Sequence, residues 1–219
     1  MFRVGVTKVR FKNHWDYYKW RYVGALLVAC LAWGILYGLT VPGIPANQKI
    51  DIFMVGSQFD INLAEDWETE ILAALPADQK QVSIVTNQAS VNGDPITEQL
   101  IMAMAIQKEG NIFILPKAYY ESFMDQGLFM PMDVPQDGGK AILETIGIPK
   151  EDIGDEGFGV AAEGPYKGED HVYAIPAKLA PGIGQLVGDE DMYISIVTYS
   201  RNLDNALRAI QWILQQPAP

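Results

Sequence analysis

The chain has 219 residues, 49% of them hydrophobic and 20% charged, and a net charge of −11; this excludes global disorder and suffices for one packed domain plus accessory segments. Six of the 16 basic residues (Arg3, Lys8, Arg10, Lys12, Lys19, Arg21) but only one of the 27 acids, Asp16, fall in the first 21 positions. The remainder is therefore strongly acidic, which excludes a nucleic-acid partner because phosphate neutralisation needs clustered Lys and Arg.

Residues 1–21 form a basic, aromatic stub with Phe11, Trp15, Tyr17, Tyr18 and Trp20. From Tyr22 to Gln48 no side chain is charged. Residues 23–41 would span roughly 28 Å as a helix, close to a hydrocarbon core of about 30 Å. A transmembrane helix is therefore expected over residues 22–41, with an aromatic belt from Trp15 to Tyr22. The positive-inside rule puts the N-terminus in the cytoplasm and residue 49 onward outside. Pro42 and Pro45 end the helix, and residues 42–48 read as a linker. Two other readings stay open. Ile44-Pro45-Ala46 is a poor cleavage site for a secretory signal. Leu27-Val28-Ala29-Cys30 looks like a lipobox, but the chain stays apolar after Cys30 where a polar tether belongs, so a buried small residue is the preferred reading. Gly34 and Gly38 match the small-xxx-small spacing of pairing membrane helices, a minor pointer to a homodimer.

The soluble part starts with a repeated βα pattern. Residues 50–55, 81–86 and 111–115 are short runs rich in β-branched and aromatic residues, and each is followed by a helical pattern. Asn62 or Asp60 caps a helix over 63–75 that Pro76 stops. Asp94-Pro95 opens a helix to about Lys108 that Gly110 terminates. A short helix over 117–126 ends at Gly127. Such units close into a mostly parallel sheet covered by helices, giving an α/β fold. In such sheets ligands meet the carboxyl ends of the strands, so a site is expected from residues 56–60, 87–90 and 116–119.

The pattern then loosens. Residues 128–133 read as extended, 138–147 as one short helix, 158–162 and 171–177 as a hairpin, and 181–188 as a glycine-rich flexible connection. Residues 192–199 return to strand, and Asn202 or Asp204 caps a last helix over 203–215.

Little chemistry is legible. Acids cluster at Asp152-Ile153-Gly154-Asp155-Glu156-Gly157 and at Asp189-Glu190-Asp191, but without EF-hand spacing, so solvated loops are expected and no metal. A single cysteine excludes an intrachain disulfide and a thiolate metal site. Gly182-Ile183-Gly184-Gln185-Leu186-Val187-Gly188 fits neither the Rossmann nor the P-loop pattern. No Gly-x-Ser-x-Gly exists, and His171 sits in a strand-like run with no evident partner, so a structural role is expected. No cofactor and no enzymatic activity are expected. The candidate ligand contacts are Gln58, Phe59, Asn87, Gln88, Lys117, Tyr119 and Tyr173, at the inferred strand ends or on the strand at 171–177; the alternative for each is a loop residue or, for Phe59 and Tyr173, core.

Four pieces in order resemble the extracellular solute-binding proteins of bacterial ABC transporters: EQLIMAMAIQKEGNIFILP (98–116), FMDQGLFMPMD (123–133), HVYAIPA (171–177) and ISIVTYSRNLDNALRAIQWI (194–213). The resemblance covers most of residues 49–219. It implies a periplasmic-binding-protein-like (type II) three-layer lobe outside a bacterial cell. Members usually close two lobes on a ligand. Here residues 178–191 alone separate the HVYAIPA piece from the returning strand, too few for a second lobe of ordinary size. The resemblance then implies a single lobe. The expected function is non-covalent recognition: an accessory or sensory subunit of a membrane complex, with a transporter or sensor as membrane-protein partner. The alternative is a receptor for a small-molecule ligand (sugar, peptide or metabolite), alone or as a homodimer whose second copy replaces the lost lobe; an extracytoplasmic enzyme is a remote third reading.

Overall fold

The computed structural model describes residues 8–40, 43–135, 139–188 and 190–217, without the side chains of residues 8–13 and 38–40. The chain divides into two units, Met1–Gly43 and Ile44–Pro219. The first is built on one helix, α1 (Lys8–Thr40). Its stretch His14–Tyr37 is long and apolar enough to cross a membrane. The helix begins well before residue 22 because no Gly or Pro interrupts residues 8–21. At that end His14 Nε2 and the Tyr22 hydroxyl lie 2.6 Å apart, Trp15 stacks on Tyr22, and Arg21 sits over the Tyr18 ring. Leu26, Leu27, Leu31 and Trp33 are exposed.

The second unit is a mixed α/β fold around a mainly parallel five-stranded sheet. Its strands are β1 (Lys49–Gly56), β2 (Gln81–Gln88), β3 (Ile112–Pro116), β6 (Ile175–Pro176) and β7 (Met192–Ile196), in the order β2-β1-β3-β7-β6. Only β7 runs against the rest: β1 pairs parallel with β2 and β3, whereas β7 pairs antiparallel with both β3 and β6. A separate antiparallel hairpin joins β4 (Phe158–Val160) to β5 (Asp170–Val172).

Strand alternation divides the core in two. Ile50, Ile52 and Met54 of β1, Ile112 and Ile114 of β3 and Ile194 and Ile196 of β7 face one side. There they meet α2 (Ile61–Ala74), α5 (Ile142–Ile146), α7 (Ile183–Val187) and α8 (Leu203–Leu214). Trp67 of α2 and Trp212 of α8 meet edge-on on this side, ring centroids 5.3 Å apart. Phe53, Val55, Phe113, Leu115 and Tyr193 face the other side. They meet α3 (Pro95–Gln107) and α4 (Lys117–Asp125) through Ile101, Tyr119, Tyr120 and Phe123. The result is helix, sheet, helix in three layers.

The local signals behave as their chemistry demands. Asp60 caps α2 by accepting from the Leu63 N–H at 3.1 Å, and Asp94 caps α3 by accepting from the Thr97 N–H at 3.0 Å. Several bounds differ from expectation. Lys108 closes α3 in the left-handed conformation with φ 57°, two residues before Gly110, whose φ is 86°. The expected strand over 171–177 is split: Asp170–Val172 pairs with β4, while Ile175–Pro176 joins the main sheet as β6. The glycine-rich stretch over 181–188 is not a flexible connection but carries α7, because Ile183, Leu186 and Val187 are buried in the core. The helix expected over 138–147 contracts to α5; the start expected at Gly138 lies outside the described residues. A four-residue helix, α6 (Lys150–Ile153), follows it.

Candidate functional site

The chain leaves β1 towards α2 on one face and leaves β3 towards α4 on the other. Between these two strands the connections part, which makes their carboxyl ends the edge at which ligands meet such sheets. Because β7 is antiparallel, its beginning arrives at the same edge: Met192 pairs with Pro116, the last residue of β3. The short strand β6 delivers Ala177 and Lys178 there as well, since Pro176 pairs with Tyr193.

Ser57 is the centre of the polar network at this edge. Its N–H donates to Glu190 Oε1 at 3.1 Å, and its hydroxyl makes a second, short bond to the same oxygen. Gln88 Nε2 donates to the Ser57 carbonyl at 2.7 Å. Gly56 makes room for this arrangement: a Cβ there would fall 3.3 Å from Glu190 Oε2 and 3.2 Å from the Phe59 ring. The loop leading into α2 is thereby tied to the start of β7, 133 positions away in sequence.

Two open grooves flank α7. One, of about 520 Å³, is lined by Gln58, Phe59, Asp60, Asn62, Gly184 and Gly188. The other, of about 400 Å³, is lined by Glu156, Lys178, Glu190, Asp191 and Tyr193, with the apolar floor of Pro176 and Ile183. At its rim Lys178 Nζ bonds Glu156 Oε2 at 2.6 Å. That hydrogen bond and the Lys178 charge, with Lys117 adding, hold the Glu156 carboxyl below its usual pKa. Burial pushes the Tyr193 phenol up, helped by Glu156, Asp191 and Glu121. The edge therefore presents paired, opposite charges beside an aromatic wall.

The seven residues singled out from sequence separate into three groups. Gln58, Phe59, Gln88 and Lys117 stand at the strand-end edge. Gln58 and Gln88 are exposed, Phe59 packs half-buried on the core, and Lys117 faces Glu121 one helical turn on at 3.8 Å. Asn87 is turned to α3, its Nδ2 donating to Thr97 Oγ1 at 3.0 Å. Tyr119 and Tyr173 are in the core. The Tyr119 hydroxyl donates to the Ser90 carbonyl at 2.9 Å and so holds the loop after β2. Tyr173 lies edge-on to His171 near the hairpin. Ser57, Glu156, Lys178 and Glu190 are not among these seven. Ser57 fell inside an expected loop, but the others reach the edge through the antiparallel β7, the short β6 and the helical turns around them, which no local pattern announces.

His171 has a defined setting, with Nδ1 3.2 Å from Asp133 Oδ1 and Nε2 3.0 Å from Glu169 Oε2. Asp133 also bonds Lys150 at 2.6 Å and accepts from the Val172 N–H. This network pins β5 to residues 128–133, which pair with the end of β7 through Phe129 and Val197. Among the described residues no three His, Cys, Asp or Glu side chains converge as a metal site requires. Of the second acidic cluster, Asp189 lies outside the described residues. No protein-family model matches the chain, and no curated protein matches it either.

Proposed function

We propose that the chain is a membrane-anchored extracytoplasmic binding protein, an accessory or sensory subunit that docks a partner in the membrane through its strand-end edge. The observation that carries the reading is the pair of open grooves around α7, walled by one α/β unit alone. A receptor that captures a small solute buries most of its surface between convergent walls. These grooves instead offer an open, mixed-charge surface on which Lys178 is already paired with Glu156, which suits another protein. The apolar stretch His14–Tyr37 supports the anchor, and the basic stub before it supports a cytoplasmic N-terminus. Anchoring raises the concentration of the domain at its partner. The solute-binding-protein likeness of residues 49–219 supports a transporter as that partner.

Thermal unfolding against sugars, peptides, amino acids and divalent ions tests the reading. A ligand specific for the folded form stabilises by about 2.7 kcal/mol at a hundredfold excess over Kd. The docking reading expects no solute to move the transition. A clear shift with one class would replace it with a solute receptor.

A further inference from the structure

We propose that the outer face of α3 is the contact between two copies of this chain, packed antiparallel about a two-fold axis at Ala103. α3 turns only Thr97 and Ile101 fully into the protein. Met104 and Ala105 pack part-buried on the core and Ala103 is half-buried, but four large apolar residues stay outside: Ile96 is 77% exposed, Ile106 75%, and Leu100 and Met102 40% each. At 3.6 residues per turn, Ile96, Leu100, Ala103 and Ile106 fall in a band roughly 120° wide on the side away from Ile101. The only polar residues in that band are Gln99 and Gln107. An ordinary surface helix shows the reverse, with its charged side outward.

Between Gln99 and Gln107 the band is complementary to itself. Rotating a second α3 about Ala103 sets Leu100 against Ile106 of the other copy, because both lie three residues from the axis. It sets Gln99 against Gln107, both four residues away, where two amides exchange donor and acceptor. Ala103 at the crossing lets the helices approach closely. The band carries no charge, which matters in a strongly acidic body: two copies can meet only where carboxylates do not face each other. The same argument disfavours an anionic lipid surface. Val85 extends the apolar surface onto the edge strand β2, since it pairs with Phe53 on the α3 side of the sheet and is 46% exposed. Strand addition at β2 is blocked in its middle, where Glu68 Oε1 accepts from the Ile84 N–H at 2.5 Å. Helix packing on α3 is the mode left open.

The area is small. A 13-residue helix is about 20 Å long and about 10 Å wide, so two such faces bury far less than the roughly 1,200 Å² of a stable free complex. The contact therefore depends on copies being held at high local concentration, as in one membrane. It uses neither groove of the strand-end edge, so its failure leaves the docking proposal untouched.

The test is disulfide trapping in membranes carrying the full chain. Cys30→Ser removes the native thiol, and Ala103→Cys or, as a control of equal tethering, the exposed Val160→Cys supplies one. Oxidation should yield several-fold more covalent homodimer from A103C than from V160C. Adding Ile106→Glu should bring A103C down to the control. In the A103C background, Gln99→Lys with Gln107→Glu should retain the dimer, because antiparallel packing pairs Lys with Glu, whereas Gln99→Lys with Gln107→Lys should lose it. Equal yields from the two thiols would overturn the proposal. So would adducts of A103C with a different protein in place of the homodimer, or loss of the dimer in the Lys/Glu variant.

Discussion

Asn202 shows how one side chain can hold several segments. It is 7% exposed, and its Nδ2 donates to the Lys49 carbonyl at 3.1 Å and to Gln79 Oε1 at 2.8 Å. Its Oδ1 accepts from Asn205 at 2.8 Å. The start of β1, the loop before β2 and the start of α8 thus share one amide. Asn202→Ala leaves buried acceptors without a donor and should cost about 1–3 kcal/mol in chemical denaturation. A second prediction concerns Tyr120, stacked on Tyr193 with centroids 4.8 Å apart and bonded to the Gly157 carbonyl at 3.2 Å. Burial raises its pKa well above the ordinary 10.0, and burial does the same to Tyr199. The folded state therefore holds these protons more tightly than the unfolded chain. Their contribution to stability is complete below pH 10 and is lost as the pH rises towards the folded-state values. Unfolding followed from pH 8 to pH 11 should show falling stability, with a shallower fall in Tyr120→Phe.

Elements were legible where a local signal and the core demanded the same thing. Asp60 before α2 and Asp94-Pro95 before α3 mark helix starts by capping chemistry, and the three β-branched runs became β1, β2 and β3. Asp94 does more than cap, since its Oδ2 also accepts from Thr97 Oγ1, to which Asn87 of β2 donates. Asp94→Ala should cost about 1–2 kcal/mol, and hydrogen exchange should show the loss concentrated in α3. Where tertiary context decided, the sequence was silent. α7 has five residues between glycines and forms because Ile183, Leu186 and Val187 find a core. The break between β5 and β6 lies at Tyr173-Ala174, both fully buried, where the chain passes from the hairpin to the sheet. The site suffered most: Ser57 and Glu190 meet only because β7 runs antiparallel, and no spacing in the chain encodes that.

For the whole molecule, the anchor and the strand-end edge are the two parts that the proposed function joins. Anchoring predicts that the full chain stays with membranes through a high-salt wash, whereas a chain starting at Ile44 is recovered in the supernatant. If both fractionate alike, the apolar helix is not an anchor. The edge makes the central claim, and photo-cross-linking in cells tests it most directly. A photoreactive residue would replace Gln58 or Lys178 at the edge, or Thr69 on the exposed side of α2 as a control, in the full-length chain. The account predicts one discrete membrane-protein adduct from Gln58 and Lys178 and none from Thr69. No adduct from either edge position, or the same adduct from Thr69, would contradict it.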